Sequence, residues 1–350
     1  YGLKAYSEGL EVYTTISSKF QNHAAGALRA GLEDYDKRHG FREPENIFDL
    51  FPENFFQYPK SEKIYEAEET LNIESRDLEE KSDLSNVFQY LETFTENKER
   101  FIGVVTNNSK DLEVLTKYGN LIDIKWNEDL KWARPYISEN RRGARPRSFL
   151  DIIKLGDLVW LSEDSITKTI SLTQIPEAQS ALISIDPKSG SILASVGGYD
   201  FFLSKFNRVE QASPLLGSNF KPFLYAAAFS NGFTPSSLIN DAPIIFEDEA
   251  LEEKWRPRNA SGKFYGPTRL REGLLQSRNL VSVRLLRELG VDKVRSFAEK
   301  FGFDKQRLPA DLSLSLGTAS LNPLSNAVAY SVFANEGKKV EPYLISKILD

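Results

Sequence analysis

Hydrophobic and polar positions divide the chain into stretches of different period. Leu10 to Ile16 alternate and are rich in β-branched side chains, which predicts a strand. From Ser18 to about Tyr35 the apolar residues Phe20, Ala24, Ala27, Leu28 and Leu32 recur at helical spacing. Gly40 and Pro44 then break that pattern. Residues 61–100 are polar, with acidic side chains outnumbering basic ones about two to one, and read as a solvated face or insertion. Short β-like runs follow at 101–106, 112–116, 121–126 and 157–161. Their close spacing, with turn residues between them, predicts a small barrel or sandwich.

Near Leu172 the texture changes. Residues 181–201 hold two apolar strands around the turn Asp186-Pro187-Lys188-Ser189-Gly190, a β-hairpin. After Ser218 the pattern becomes mainly helical, with amphipathic stretches at 267–301 and 322–336. A hairpin followed by a helical cluster predicts an α+β domain. No internal repeat is evident, and 350 residues suffice for roughly two domains with cores of their own.

Composition narrows the chemistry. Hydrophobic content of 41% and charged content of 27% are those of a globular protein. A net charge of -6 argues against a nucleic-acid partner. The arginines Arg141, Arg142, Arg145 and Arg147 read as decoration of a loop rather than a contact for an anionic polymer. Without cysteine there is no disulfide framework, thiol nucleophile or cysteine-rich metal site. The two histidines, His23 and His39, are too far apart for a helical metal pair and read as surface or packing residues. With histidine so scarce, acyl transfer would need another base. No run of about eighteen apolar residues appears, so no membrane-spanning segment is predicted. The chain opens mid-pattern at Tyr1-Gly2-Leu3, with no Met anywhere, and reads as part of a longer one.

Candidate chemistry centres on Gly217-Ser218-Asn219-Phe220-Lys221-Pro222. Ser and Lys three apart share a helix face, so the amine approaches the hydroxyl. Pro222 requires the helix to begin close to Ser218, which places the hydroxyl at a helix N-terminus, beside N–H groups that favour an oxyanion. A serine hydroxyl needs a base to act as nucleophile, and Lys221 serves if burial keeps it neutral. Alone, the S-x-x-K spacing is weak. A second motif, Ser277-x-Asn279, precedes an apolar helical run. Residues two apart on a helix diverge, so these two can share a target only from an extended loop, with Asn279 near the cap of the next helix.

S-x-x-K, a Ser/Asn motif and K-T-G together mark the class A β-lactamases and the penicillin-binding proteins. The chain resembles the class A (bifunctional) penicillin-binding proteins, particularly the 1A type of Gram-negative bacteria, along most of its length. The segments that carry the resemblance are LEVYTTI (10–16), YDKRHGFR (35–42), WARPYI (132–137), GGYDF (197–201) and FNRVEQA (206–212). GSNFKPFLY (217–225), GPTRLREGLLQSRN (266–279) and SLSLGTAS (313–320) complete the set.

The resemblance implies a serine β-lactamase-like transpeptidase domain, partial here, with a small inserted all-β domain of the OB type. Residues 1–44 would be a linker strand and the first helix of that domain, 45–172 the insert with its acidic segment, and 173–350 the N-terminal part of the transpeptidase. It also implies that Ser218 attacks the D-Ala-D-Ala bond of a peptidoglycan stem peptide, with Lys221 as base. Ser277 and Asn279 would support them, Asn219 would join these two in binding substrate, and no metal or organic cofactor would be needed. Implied partners are stem peptides, glycan strands, β-lactams and a lipoprotein activator that docks on the inserted domain. The implied location is the periplasmic side of the inner membrane, with a glycosyltransferase domain and membrane anchor outside this sequence.

One element departs from the pattern. K-T-G should follow Asn279, yet no such triplet occurs between Asn279 and Asp350. Lys188-Ser189-Gly190 lies ahead of the nucleophile in the hairpin turn and reads as a decoy. The expectation is that the missing strand lies beyond this sequence and that these 350 residues alone show little transpeptidation. A hydrolytic relative would release D-alanine or opened drug, and a non-catalytic binding module would hold cell wall without taking up penicillin.

Overall fold

The alternating run forms strand β1 (Glu11–Thr14) and the apolar stripe forms helix α1 (Ser18–His39). The computed structural model describes residues 9–50, 85–96, 100–109, 111–164, 166–244 and 255–349. Ala24, Leu28 and Leu32, one turn apart, are the buried members of the stripe, whereas Phe20 and Ala27 are exposed. The division into units falls inside this helix. Residues up to Leu28 join Ser180 onward in one unit, and Arg29–Gln179 form the other.

In the Arg29–Gln179 unit, helices α2 (Ile47–Leu50) and α3 (Ser85–Glu92) precede strands β2 (Arg100–Asn108), β3 (Leu112–Thr116) and β4 (Leu121–Ile124). A short hairpin of β5 (Tyr136–Ser138) and β6 (Arg141–Arg142) follows, then β7 (Leu158–Glu163) and β8 (Ile170–Thr173). Five of these strands make one antiparallel sheet in the order β4-β3-β2-β7-β8. The run through β2 is almost continuously apolar because both faces are covered. Ile102 and Val104 pack with Val87 and Leu91 of α3, while Val105 joins Val114, Phe149 and Leu161 in a second cluster. Gly103 permits the close approach of β3, since a Cβ there would lie 2.5 Å from Val114 Cγ1.

Three of the strands differ from the sequence expectation: 101–106 extends to Arg100–Asn108, 121–126 is strand only to Ile124, and 157–161 becomes Leu158–Glu163. The fifth strand, β8, is too short to announce itself, and the expected border at 172/173 cuts through it, because Thr173 pairs with Trp160. Gln174 extends the unit further, donating to Asp36 at 2.6 Å and to the Gly40 carbonyl at 2.8 Å. The buried Asp36 also accepts two bonds from Arg42 (2.6 and 3.1 Å), and Glu33 pairs with Arg100. Those links assign the second half of α1 to this unit, so the division lies at Leu28/Arg29 and Gln179/Ser180 rather than at 44/45 and 172/173. Most of the predicted acidic segment, residues 61–84, lies outside the described residues. His23 is exposed, and His39 stacks on Tyr35 with ring centroids 4.2 Å apart.

The other unit continues with the hairpin β9 (Leu182–Ile185) and β10 (Ile192–Val196), then helix α4 (Lys221–Phe229). A second hairpin, β11 (Leu238–Asp241) with β12 (Gly266–Arg269), leads to α5 (Leu270–Leu275), α6 (Asn279–Leu289) and α7 (Val291–Glu299). Helix α8 (Pro323–Ala334) and strand β13 (Ile345–Leu349), which pairs antiparallel with β1, close the unit. The predicted amphipathic stretch 267–301 is therefore one strand and three helices. Positive φ at Ser277 (51°) and Gly290 (89°) separates the helices. Helix α4 sits at the centre of the core. Its Phe223, Leu224, Ala227 and Ala228 are fully buried, in one cluster with Val281 and Leu285 of α6 and Val294 and Ala298 of α7.

Candidate active site

Ser218 lies in a 3-10 turn, Gly217–Phe220, that runs directly into α4. In a 3-10 turn residues three apart eclipse one another, which puts Lys221 directly in line with Ser218 along the axis. Pro222 falls in the first turn of α4, where its missing N–H leaves no gap in the helix. Gly217 takes φ +56°, and its N–H donates to the Gly317 carbonyl at 2.9 Å. Gly317, itself at φ +74°, presses so closely that a Cβ would overlap the Gly217 carbonyl. The segment 313–320 thus buttresses the turn that presents Ser218.

Ser277 arrives from the end of α5. Arg278 N–H donates to the Gly273 carbonyl (2.8 Å) and Ser277 N–H to that of Leu274 (3.0 Å), the Schellman way of ending a helix. The left-handed position in that motif is usually glycine. Here it is Ser277, at a cost of about 1–2 kcal/mol. Helix α6 begins two residues later with Asn279. The strained turn aims the Ser277 hydroxyl and the Asn279 amide the same way.

The two segments converge. Lys221 Nζ donates to Ser277 O (2.8 Å), Ser277 Oγ (2.9 Å) and Asn279 Oδ1 (2.7 Å). Ser277 Oγ lies 3.1 Å from Ser218 Oγ, so the hydrogen-bonded route from Ser218 to Lys221 passes through the Ser277 hydroxyl. Ser218 and Ser277 are exposed, whereas Lys221 is 1% exposed. Burial lowers the Lys221 pKa from 10.5 to about 8, because a low-dielectric surround penalises the ammonium. About a tenth of it is therefore neutral at pH 7. Tyr225, one turn further along α4, is pushed up to about 12 by burial and stays a neutral phenol.

Asn219 stands apart from this cluster. It is exposed and lines a cavity of about 410 Å³ with Leu216, Tyr330 and Asn326, and its carbonyl accepts from the Tyr330 hydroxyl at 2.9 Å. Lys188-Ser189-Gly190 occupies the β9–β10 turn, where Lys188 N–H bonds Asp186 and the Ser189 hydroxyl meets that of Ser191. Among the described residues no group of three or more His, Asp or Glu side chains could hold a metal ion. Sequence reasoning did not single out Asn259, Asp241 or Gly317, which surround the cluster. Gly317 lies in SLSLGTAS, one of the segments that carry the resemblance, whereas nothing local marks Asn259 and Asp241.

Residues 181–350 match the penicillin binding protein transpeptidase domain, and residues 67–178 match the penicillin-binding protein OB-like domain. The chain belongs to the penicillin-binding proteins, with an α+β transpeptidase domain and an inserted OB-like domain. Within them it falls with the 1A type of class A. It is 42% identical to penicillin-binding protein 1A of Pseudomonas aeruginosa over 99% of this chain and 38% of that protein. It is 37% identical to the 1A protein of Escherichia coli, again over 99% of this chain and 38% of that one. The crystal structure of penicillin-binding protein 1A from Haemophilus influenzae superposes with a TM-score of 0.75 at 32% identity, covering 98% of this chain and 45% of that one. The chain spans less than half the length of these relatives.

Proposed function

We propose that this chain supplies the serine D,D-transpeptidase site of a peptidoglycan synthase, acylated on Ser218 by D-Ala-D-Ala stem peptides and by β-lactams. The observation that carries this is the hydrogen-bonded chain Ser218–Ser277–Lys221, anchored by Asn279. The fully protonated amine spends its three hydrogens on three acceptors. Two of those, the Ser277 carbonyl and Asn279 Oδ1, can only accept. Ser277 Oγ is the one partner able to donate to the amine once it is neutral. Ser218 then passes its proton to Ser277 Oγ while Ser277 passes its own to Lys221 Nζ, and Ser218 Oγ bonds the substrate carbonyl carbon. The N–H groups of Gly217 and Asn219 are spent on the Gly317 and Leu216 carbonyls, so within this turn it is the Ser218 N–H that faces the oxyanion forming there. As the tetrahedral adduct collapses, the C–N bond to D-alanine breaks, and the leaving amine takes the proton back along the same route. An amine from a neighbouring stem attacks the ester and loses its proton to Lys221 through Ser277; as the ester C–O bond breaks, Ser218 Oγ takes that proton back along the same route.

Asn219 belongs to the same reading as a substrate contact at the edge of the cavity beside the nucleophile. Similarity to the 1A proteins supports, for the full-length protein, a membrane anchor, a periplasmic location, a glycan-polymerising activity and an activator docked on the OB-like domain. None of the described helices is long and apolar enough to cross a membrane. The reading is tested by treating the full-length protein with fluorescent penicillin and mapping the adduct by mass spectrometry. The expected adduct is on the peptide holding Ser218. Ser218→Ala should abolish it while leaving the melting temperature within a degree or two, because Ser218 is exposed and its hydroxyl bonds only another exposed hydroxyl, that of Ser277. An adduct that persists in that variant would refute the assignment.

A further inference from the structure

Helix α6 carries Asn279 as its first residue, and its cap residue, Arg278, makes no side-chain capping bond. The first amide N–H groups of a helix have no partner within it and need an acceptor from elsewhere. Here the acceptor comes from twenty residues upstream: Asn259 Oδ1 takes the N–H of Asn279 at 2.9 Å and that of Leu280 at 3.4 Å. On its other side, Asn259 Nδ2 donates to both carboxylate oxygens of Asp241 (2.8 and 3.0 Å) and to the Lys263 carbonyl (2.9 Å). Both residues are buried, Asn259 at 5% exposure and Asp241 at 0%. The orientation of the Asn259 amide is therefore determined, since turning it over would set NH2 against two N–H groups and oxygen against a carboxylate. The preceding residue completes the grip, with the Arg258 carbonyl accepting from Asn279 Nδ2 at 2.8 Å and leaving Asn279 Oδ1 turned toward Lys221.

We propose that Asn259, oriented by the buried carboxylate of Asp241, is the positioning residue of the site: it caps α6 and thereby holds Asn279 and the Lys221 amine in register with Ser277 and Ser218. This rests on the transpeptidase reading. A capping asparagine needs an acceptor for each hydrogen of its NH2; the Lys263 carbonyl takes one, and the other meets a buried carboxylate where a neutral carbonyl would serve a purely structural role. A buried carboxylate is costly unless fully bonded, and here both its oxygens are spent on orienting a single amide. Asn259 itself touches neither Ser218 nor Lys221. Its influence passes through Asn279.

The test uses the full-length protein and measures penicillin acylation across pH, together with amide exchange at Asn279 and Leu280. Asn259→Ala should slow acylation by about ten- to a hundredfold, since a misplaced catalytic group costs on that order. Its pH midpoint should rise as water reaches Lys221, and the two amides should exchange faster. Asp241→Asn removes the charge behind the amide but keeps one acceptor for it, with the Lys263 carbonyl as the other. It should acylate more slowly than the parent but within about tenfold of it. Asn259→Ala that folds and acylates with unchanged rate and midpoint would overturn the inference. So would Asp241→Asn that folds and acylates at the parent rate. A parent protein that takes no penicillin would sink the transpeptidase reading instead, and the amide exchange would still report on the cap.

Discussion

Lys221 shows how one residue's surroundings set its chemistry. A lysine in water has a pKa near 10.5 and is a poor base at neutral pH, whereas burial inside α4 brings this one to about 8. Because neutral amine is required at the moment of attack, acylation by penicillin should rise about tenfold per pH unit below 8 and level off above it. Stopped-flow labelling from pH 6 to 9.5 would show this, and a flat profile would remove Lys221 as the proposed base. Stability follows the same proton. The folded state holds fewer protons than the unfolded one between about 8 and 10.5, so stability should rise with pH across that window. Below about 8 both states are protonated and the full cost of the buried ammonium is felt.

At the scale of elements, the informative feature is how α5 ends. A Schellman turn with serine in the glycine position trades stability for an aimed hydroxyl. Ser277→Gly should therefore make the protein more stable, by about 1 kcal/mol, while slowing acylation by two or more orders of magnitude. Thermal unfolding and penicillin labelling measured side by side would check it. A variant that is less stable than the parent would show that the hydroxyl's bonds outweigh the backbone strain. The spacing Ser277-x-Asn279 was legible as a loop followed by a helix, because two polar residues two apart cannot share one face. That the loop is a helix terminus in left-handed geometry was not, since nothing in the serine itself announces positive φ.

For the molecule as a whole, the nucleophile turn is shaped by chain a hundred residues away. Gly317 allows 313–320 to lie against Gly217, and Leu216 N–H donates to the Ala319 carbonyl at 2.9 Å. Gly317→Ala adds a left-handed penalty to an overlap with backbone that cannot yield, so a loss above about 2 kcal/mol is expected, with slowed acylation as Ser218 shifts. Gly217→Ala is the control: its Cβ would meet open space, and only the penalty of φ +56° remains. Equal melting temperatures for the two variants would contradict this account. Much of the architecture was legible in advance. The alternating run of β1, the stripe of α1, the hairpin β9–β10 and four of the five sheet strands follow from periods of 2 and 3.6. The fifth strand and the unit borders were not, because β8 is four residues long and the borders depend on long-range bonds such as Asp36 to Gln174. The sequence by itself singled out Ser218, Lys221, Ser277 and Asn279 as candidates and set Ser218 and Lys221 one turn apart, since one helical turn is governed by neighbours along the chain. Only tertiary structure decided that Ser218 and Ser277, 59 residues apart, would meet, that Lys221 would be dry, and that Asn259 and Asp241 would stand behind Asn279. Burial and convergence are properties of packing, and packing is settled by segments that no local pattern connects.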